Sequence, residues 1–196
     1  MHQDNNPGFA GILLAAGKGS RFDPTGMQNK LMQPLAGGDL VVIKSAKNLL
    51  AALPVVVAVV RPGAEGFAAQ LEMLGCKVTE CPRAEEGMAA SLVHGLLNTA
   101  DAAGWVIALA DMPYVHPDSI KALINAIRNG ADIAAPTCSG QRGNPIAFSR
   151  KHLPELLRLS GDEGARNLLK RYPVTAVEVA DRGIRLDIDV PADLRQ

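Results

Sequence analysis

The chain has 196 residues, of which 47% are hydrophobic and 20% are charged. This length and apolar content fit one globular domain with a substantial core, and they argue against intrinsic disorder. The 20 basic side chains are balanced by 20 acidic ones. A nucleic-acid-binding protein usually carries a basic excess, so the composition argues against that class and confines any anion site to a local cluster of cations.

The cysteines and the apolar runs predict a cytoplasmic protein. Cys76, Cys81 and Cys138 show no CxxC spacing, which argues against a disulfide framework or a structural zinc site and fits a reducing compartment. The first eight residues, MHQDNNPG, lack the basic and then apolar order of a signal peptide. The longest apolar runs, such as LPVVVAVV, are too short to span a bilayer.

Short apolar runs alternate with helical patterns along most of the chain. The predicted strands are, in order, FAGILLAAG from Phe9, PVVVAVVRPG, KVTEC, WVIALADMP and ADIAAPT. The predicted helices between them are VVIKSAKNLLAAL from Val41, AEGFAAQLEML, GMAASLVHGLLNTADAAG and HPDSIKALINAIRNG. In the less regular remainder, NPIAF and VTAVEV have strand patterns, and KHLPELLRL and DEGARNLLKRY have helical ones. The alternation predicts a Rossmann-like, three-layer α/β/α fold with a mostly parallel sheet, formed by residues 1–196 as a single domain.

The first predicted strand leads directly into a glycine-rich loop, LLAAGKGSRFDPTGMQNKLMQPLAGG. Glycines let the backbone approach a ligand closely, and exposed amides in such a turn can cradle phosphates. Lys18, Arg21 and Lys30 add three cations to a stretch whose only acidic residue before Asp39 is Asp23. The loop matches neither a P-loop nor the dinucleotide fingerprint. We interpret it as a triphosphate site, the alternative being a flexible surface loop with solvated cations.

Carboxylates stand at two expected strand ends, where ligands of parallel sheets bind. Asp111 directly follows WVIALA and suits Mg²⁺, which takes one or two carboxylates plus phosphate oxygens and water. The alternative for Asp111 is a turn or N-cap role. Asp187 and Asp189 in LDIDVPADL alternate with apolar residues, so both would face one side of an extended segment that ends at Pro191. A capped turn before a short helix containing Asp193 is equally compatible.

Six motifs together resemble a known family. LLAAGKGSRF, with Lys30 and the following LMQPL, resembles the opening motif of the nucleotidyltransferases related to molybdopterin-guanine dinucleotide synthase. Within them it is most similar to the molybdenum cofactor cytidylyltransferase branch. The likeness continues through EGMAASLVHGL, ALADMP, RGNPIAF, SGDEGARNLL and LDIDVPADL, in the family's order and over nearly the whole chain.

The resemblance implies a set of nucleotide-binding residues. The backbone of the family's first motif and its arginine and lysine bind the triphosphate, here Gly17, Gly19, Ser20, Arg21 and Lys30. The base would lie against Leu14, Ala15, Ala16, Gly87 and Ser91, for which helix–sheet packing by small residues is the alternative. Asp111 matches the family's metal ligand, and Asp189 is expected to complete the Mg²⁺ site. Arg21, Lys30 and Asp111 are therefore the predicted catalytic residues.

RGNPIAF and SGDEGARNLL follow the predicted nucleotide-binding half, about 9–113, and are assigned to an acceptor-binding half, about 132–196. The acceptor residues implied are Arg142, Gly143, Asn144, Pro145 and Arg166. Two departures from the family pattern are present: eight residues, FDPTGMQN, separate Arg21 from Lys30, and Asn144 stands where the cytidylyl branch often has histidine. Asp162 is expected to cap the helix that runs to Arg171.

The expected reaction transfers CMP from CTP to molybdenum-bound molybdopterin, giving the cytosine dinucleotide cofactor and pyrophosphate. Ala16 stands where the guanylyl branch typically has glycine, and a methyl-sized difference supplies ~1–3 kcal/mol of discrimination at most. The alternatives are a transferase that uses GTP or another phosphorylated acceptor, and a non-catalytic cofactor chaperone for a molybdenum hydroxylase. The combination of Arg21, Lys30 and Asp111 argues against the chaperone. A molybdenum hydroxylase is the expected client.

Overall fold

A computed structural model of the chain describes residues 8–162 and 164–195. The segment 1–7, where no signal peptide is expected, lies outside the described residues, as do Glu163 of the predicted helix DEGARNLLKRY and Gln196. Within the described ranges, no helix has the length and apolar character needed to cross a membrane.

One eight-stranded mixed sheet runs through the described chain. Its strands are β1 Phe9–Ala15, β2 Val55–Val60, β3 Lys77–Glu80, β4 Gly104–Leu109, β5 Ile133–Cys138, β6 Gln141–Arg142, β7 Ile146–Ser149 and β8 Thr175–Glu178. The hydrogen-bonded order is β3-β2-β1-β4-β7-β5-β6, and β8 also pairs with β5. The β1–β2, β1–β4, β2–β3 and β5–β8 pairs are parallel. The predicted α/β fold with a mostly parallel sheet is therefore confirmed.

Helices cover both faces of the sheet. They are α1 Val41–Leu50, α2 Glu65–Met73, α3 Met88–Leu97, α4 Pro117–Arg128, α5 Leu153–Leu156 and α6 Arg166–Arg171. Alternate residues of β1 enter different cores: Leu13 packs with Leu49 of α1, whereas Ile12 packs with Leu92 of α3. Each of these side chains is at most 1% exposed. Strands buried on both faces explain why the apolar runs are continuous rather than alternating.

Strand β7 reverses the sheet's direction. It lies antiparallel between β4 and β5, with Ala147 paired to Val106 on one side and to Ala134 on the other. The sequence predicts the strand NPIAF but not its direction. The segment just before it is tightly packed, because a Cβ on Gly143 would lie 2.2 Å from the carbonyl oxygen of Ile184. Strand β7 thus joins β4, the last strand of the predicted nucleotide half in the sheet order, to β5 of the predicted acceptor half.

Three predicted helices are much shorter than their patterns indicate, and among the described residues of DEGARNLLKRY only Arg166–Arg171 is helical. The helix GMAASLVHGLLNTADAAG ends at Leu97, and its next turn is closed by the Thr99 hydroxyl, which donates to the Gly95 carbonyl at 3.0 Å. Trp105 Nε1 also donates to the Thr99 hydroxyl at 3.0 Å. In KHLPELLRL only Leu153–Leu156 is α-helical, after a 3-10 turn. Polar side chains bonded to the backbone compete with helix continuation at such ends.

Candidate active site

A cavity of about 430 Å³ opens at the carboxyl ends of β1 and β4. This is the edge where parallel sheets bind their ligands. The residues that line the cavity are Leu14, Ala16, Gly17, Lys18, Gly19, Ser20, Arg21, Phe22, Lys30, Leu31, Ala84, Glu85, Gly87, Met88, Ser91, Leu109, Asp111, Asp162, Arg166, Asp187 and Asp189. Its volume lies within the usual range for small-molecule and cofactor sites.

The long stretch between Arg21 and Lys30 is organised by the Asp23 carboxylate. Asp23 accepts hydrogen bonds from the backbone and hydroxyl groups of Thr25, at 2.9 and 2.7 Å, and from the backbone of Gln28 at 2.7 Å. These bonds, that of the Thr25 hydroxyl first, lower the pKa of Asp23 below its usual value. The only acidic side chain of the loop is thereby hydrogen-bonded within the loop itself. These bonds fold the stretch that leads to Lys30.

Lys30 bridges two carboxylates at the cavity wall. Its Nζ lies 2.5 Å from Asp111 Oδ2 and 3.2 Å from Asp189 Oδ1. Arg21 Nη1 contacts the other oxygen of Asp189 at 2.5 Å. The Lys30 side chain is 12% exposed and the Arg21 side chain 80%. The two predicted cations and the two predicted metal-binding carboxylates therefore form one continuous network, in which Arg21 remains accessible to a ligand.

A backbone hydrogen bond brings the segment LDIDVPADL, which contains Asp187 and Asp189, beside Asp111. The amide of Ile188 donates to the Asp111 carbonyl at 2.9 Å, and the Ile188 side chain is fully buried. Asp187 and Asp189, on either side of it, both line the cavity, as their alternation predicts. Asp193 accepts from the Asp189 backbone amide at 2.9 Å and so braces the turn that follows. The segment therefore forms part of the cavity wall and a braced turn, and a metal-binding role for Asp189 stays a prediction.

Two buried polar residues of α1 position the loop that carries Asp111. The Ser45 hydroxyl donates to the Ala110 carbonyl at 2.9 Å, and Asn48 Nδ2 donates to the Pro113 carbonyl at 2.8 Å. Ser45 is 5% exposed and Asn48 9%. Buried side-chain donors fix backbone acceptors that would otherwise be unsatisfied. Sequence reasoning missed both residues, because polar positions of a helix normally indicate its solvent face.

Gly87 allows a close approach between the start of α3 and the loop before α6. It has a φ of 113°, and a Cβ there would lie 2.5 Å from Asp162 Oδ1 and 2.6 Å from the Gly161 carbonyl oxygen. The expected N-cap role of Asp162 is wrong: Ala165 occupies the N-cap position of α6. Asp162 lies instead at the cavity, because the loop packs against Gly87 rather than continuing directly into the helix.

The carboxylates at this wall could hold a divalent cation together with a bound ligand. Asp111 Oδ1 is buried without a hydrogen-bond partner among the described residues, as expected for an oxygen that awaits another ligand. No group of three or more acidic, histidine or cysteine side chains in the described ranges could hold a metal alone. Mg²⁺ sites commonly combine one or two carboxylates with phosphate oxygens and water. The carboxylates of Asp111 and Asp189 fit such a shared site.

Asp187 adds a third carboxylate to this wall. Burial raises its pKa above the ordinary value, and the negative charges of Asp189 and Asp111 raise it further. Asp187 therefore lies near two other carboxylates, whose repulsion the charge of Lys30 partly offsets. A cationic ligand in that region would offset the same repulsion.

Most of the predicted nucleotide-site residues meet at the cavity. They are Leu14, Ala16, Gly17, Gly19, Ser20, Arg21, Lys30, Gly87, Ser91, Asp111 and Asp189. Ala15 does not line it: the residue is 2% exposed and belongs to the core on the other face of β1. The additional residues Lys18 and Glu85 form an ion pair at 3.0 Å at its rim.

The predicted acceptor residues are divided in space. Arg166 lines the cavity, whereas Arg142, Gly143, Asn144 and Pro145 do not. Arg142 is exposed on β6, and its neighbours lie in the turn before β7. The backbone amide of Asn144 donates to the carbonyl of Ile184 at 2.8 Å, and Asn144 and Pro145 line a small enclosed space beside α1. An acceptor role for these four residues stays a prediction.

Cations, carboxylates and a glycine-rich loop at this edge of the sheet define a nucleotidyltransferase of the α/β class. The MobA-like NTP transferase domain matches residues 11–177. The chain belongs to this family.

Individual relatives agree with that assignment. Purine catabolism protein PucB of Bacillus subtilis (strain 168) is 32% identical over 204 residues, covering 96% of this chain and 95% of PucB. The crystal structure of Rv0371c from Mycobacterium tuberculosis H37Rv matches with a TM-score of 0.81 and 28% identity, covering 95% of each chain. A complex of Rv0371c with manganese matches with a TM-score of 0.76 and 26% identity, again over 95% of each chain.

Proposed function

We propose that the protein transfers CMP from CTP to molybdenum-bound molybdopterin, forming the cytosine dinucleotide cofactor and pyrophosphate. One observation carries the proposal: Arg21, Lys30, Asp111 and Asp189 converge at one cavity beside the glycine-rich loop. The combination suits a polyphosphate with a divalent cation. The six motifs in family order support molybdopterin as the acceptor. The relative PucB is a purine catabolism protein, which is compatible with a client enzyme in purine catabolism.

The transfer requires no covalent enzyme intermediate. A terminal phosphate oxygen of the acceptor attacks the α-phosphorus of CTP and forms a new P–O bond. The bond from that phosphorus to the bridging oxygen breaks, and pyrophosphate leaves with the electron pair. Positioning and neutralisation of charge are the main requirements of such chemistry. Arg21, which is the more exposed cation, would contact the phosphates directly, and Lys30 would offset negative charge beside the carboxylates.

A divalent cation is the proposed cofactor, with Mg²⁺ as the physiological ion. Asp111 and Asp189 would hold it together with phosphate oxygens, and when bound it would neutralise negative charge on the reacting phosphates. The manganese complex of Rv0371c supports a divalent ion in this family. Lys30 contacts both carboxylates. The lysine and the divalent cation would therefore together neutralise the negative charge of the triphosphate.

The base is proposed to lie against Leu14, Ala16, Gly87 and Ser91, all at the cavity. Ala16 is 7% exposed, and its methyl group narrows the space that a glycine would leave. Cytosine is smaller than guanine, so the methyl group favours CTP. The acceptor is proposed to enter from the side of residues 132–196, with Arg166 at the cavity and Arg142 more distant.

Pyrophosphate release tests the proposal. The purified protein with Mg²⁺ is expected to release pyrophosphate from CTP only when molybdenum-bound molybdopterin is present, and more slowly from GTP. Release with sugar or polyol phosphates instead would assign another acceptor. Tight binding of the pterin without release from any nucleotide would indicate a cofactor chaperone for a molybdenum hydroxylase.

A further inference from the structure

A second cavity lies beside the active site, on the opposite side of the segment 186–189. Its volume is about 220 Å³, and it is lined by Cys138, Ser139, Arg182, Arg185 and Leu186. No acidic residue of the described ranges lines it. A cavity with two arginines and no carboxylate in its walls favours an anionic ligand.

The arginines are carried by a short 3-10 helix, Arg182–Arg185. Residues three apart in a 3-10 helix lie above one another, so both guanidinium groups extend from one face. Both residues are exposed, and neither forms an ion pair with another described residue. Their hydrogen-bonding capacity is therefore available to a ligand.

The backbone that presents the arginines is fixed. Asp181 Oδ2 accepts from the His116 amide at 2.8 Å and from the Ser119 hydroxyl at 2.7 Å. Ile184, between the two arginines, is fully buried, and its carbonyl accepts from the Asn144 amide at 2.8 Å. Because this backbone is rigid, less conformational entropy is lost when a ligand orders the two arginine side chains.

The facing wall is a tight turn between β5 and β6. Ser139 and Gly140 have φ angles of 52° and 73°, as in the two-residue turns of β-hairpins. The acidic residue beside this turn, Glu178, accepts from the Thr137 hydroxyl at 2.7 Å and from the Ser139 amide at 3.0 Å. Arg142 is paired with Thr137 across the hairpin and so faces away from Cys138. The cavity thus has its own arginines, distinct from Arg142.

We propose that Arg182 and Arg185 bind a second anionic group of the acceptor, remote from its attacking phosphate. This inference rests on the transfer reaction proposed above. Leu186 lines the arginine cavity and Asp187 the active-site cavity, so the segment between them is a shared wall. An extended chain advances about 3.3 Å per residue, which places Asp189 roughly 10 Å from Leu186. The acceptor would place its phosphate in the active-site cavity and its second anion in the arginine cavity, past this shared wall.

Cys138 provides a reporter inside the arginine cavity. It is partly exposed, whereas Cys76 and Cys81 are 5% and 2% exposed. Burial also raises the pKa of the Cys76 thiol to about 11, which keeps it protonated and unreactive at neutral pH. Alkylation by iodoacetamide, followed by peptide mass spectrometry, should therefore modify Cys138 first. Inorganic phosphate serves as the probe anion.

Phosphate at about ten times its dissociation constant should slow alkylation of Cys138 by about tenfold, because only the free protein reacts. The double variant Arg182→Ala/Arg185→Ala should lose this protection. Arg158→Ala, which removes an exposed arginine outside both cavities, should retain it. Lys30→Ala should also retain it, because phosphate in the nucleotide cavity does not cover Cys138. Undiminished protection in the double variant would overturn the anion site.

Turnover measurements then test the acceptor role. The double variant should raise the KM for the acceptor by about tenfold or more, as the loss of charge-assisted hydrogen bonds does, without changing the KM for CTP. An unchanged acceptor KM would overturn this role while leaving the anion site in place. If the unmodified protein released no pyrophosphate with any acceptor, the transfer reaction and the acceptor role would both fail, and Cys138 protection would still decide the anion site. Arg182→Lys/Arg185→Lys, expected to keep partial protection, guards against a folding defect.

Discussion

The ammonium group of Lys30 lies 2.5 Å from the Asp111 carboxylate, although 81 positions separate the two residues. The contact joins the glycine-rich loop after β1 to the loop after β4. It is largely shielded from water, because the two side chains are only 12% and 19% exposed. Ion pairs in such surroundings are screened less than surface pairs.

Asp111→Asn should abolish most of the transfer activity and leave the fold intact. The change keeps the side chain's shape but removes the charge that would balance Lys30 and a divalent ion. We expect pyrophosphate release to fall by about 100-fold or more, the scale on which lost electrostatic stabilisation is felt. Asp39→Asn is the control, because Asp39 pairs with Lys47 at an exposed position. Near-normal release by Asp111→Asn with Mg²⁺ would show that Asp111 is not a metal ligand.

Lys30→Met should destabilise the ligand-free protein and make it more responsive to Mg²⁺. Without the ammonium group, the carboxylates of Asp111 and Asp189 lose the cation that bridges them. The expected loss is on the order of 2 kcal/mol, between the values for exposed and buried pairs. Added Mg²⁺ should recover more of the melting temperature in Lys30→Met than in the unmodified protein.

Lys47→Met is the matched control for this experiment, since its side chain is 44% exposed and its partner Asp39 lies on the surface. It should change the melting temperature little, and Mg²⁺ should add nothing. If both variants melted alike and responded alike to Mg²⁺, the bridging role of Lys30 would be refuted.

Ala16→Gly should shift nucleotide preference from CTP toward GTP. The methyl group lines the cavity, and its removal enlarges the space for a purine. The shift should not exceed about 1–3 kcal/mol, measured by competition between equal concentrations of CTP and GTP. Ala15→Gly is a close control, because Ala15 lies in the core and not at the cavity. A similar shift in both variants would mean that general loosening, rather than the pocket, sets the preference.

Asn48→Ala should impair catalysis although Asn48 is not expected to contact the substrate. Its side chain holds the Pro113 carbonyl and hence the loop after Asp111. The lost hydrogen bond should cost about 1–3 kcal/mol of stability, and kcat should fall more than the KM for CTP rises. Asn98→Ala removes a comparable bond, from Asn98 Nδ2 to the His94 carbonyl at 2.9 Å, away from the cavity. It should lower the melting temperature but spare kcat. Equal kcat losses in both variants would contradict a positioning role for Asn48.

Arg166→Ala and Arg142→Ala should both leave CTP–Mg²⁺ binding nearly intact, since neither is assigned to the triphosphate. Arg166 lines the cavity and Arg142 does not, so the acceptor KM should rise more in Arg166→Ala, as lost ground-state binding does. Calorimetric titration of CTP–Mg²⁺ separates the two halves, with Lys30→Ala as the variant expected to bind CTP weakly. A comparable loss of CTP affinity in Arg142→Ala would refute the division between nucleotide and acceptor residues.

The sequence predicts the strands, the cavity edge and Asp111, because buried parallel strands and strand-end aspartates have clear local patterns, whereas most residues at the nucleotide side follow from the resemblance to the family. The position of Asp189 at the cavity is predictable, because it alternates with Ile188, whose side chain is buried in the core. Other features depend on partners remote in sequence. NPIAF does not reveal that β7 runs antiparallel, and the buried bonds of Asn48 form only when α1 packs on the loop after β4. The arginine cavity needs a 3-10 turn that propensity alone does not indicate.

The distance along the chain from Lys30 to Asp189 bears on how activity arises during synthesis. Strands β1, β2 and β3 can pair soon after they leave the ribosome, and Asp111 can meet Lys30 once β4 has joined them. The edge of β4 must still wait for β7, and Lys30 gains its second carboxylate only when residue 189 has emerged. A nascent chain can therefore have most of its sheet formed while Lys30 still lacks its contact with Asp189. Proteolytic loss of the segment around Asp189 would return a mature molecule to the same incomplete state.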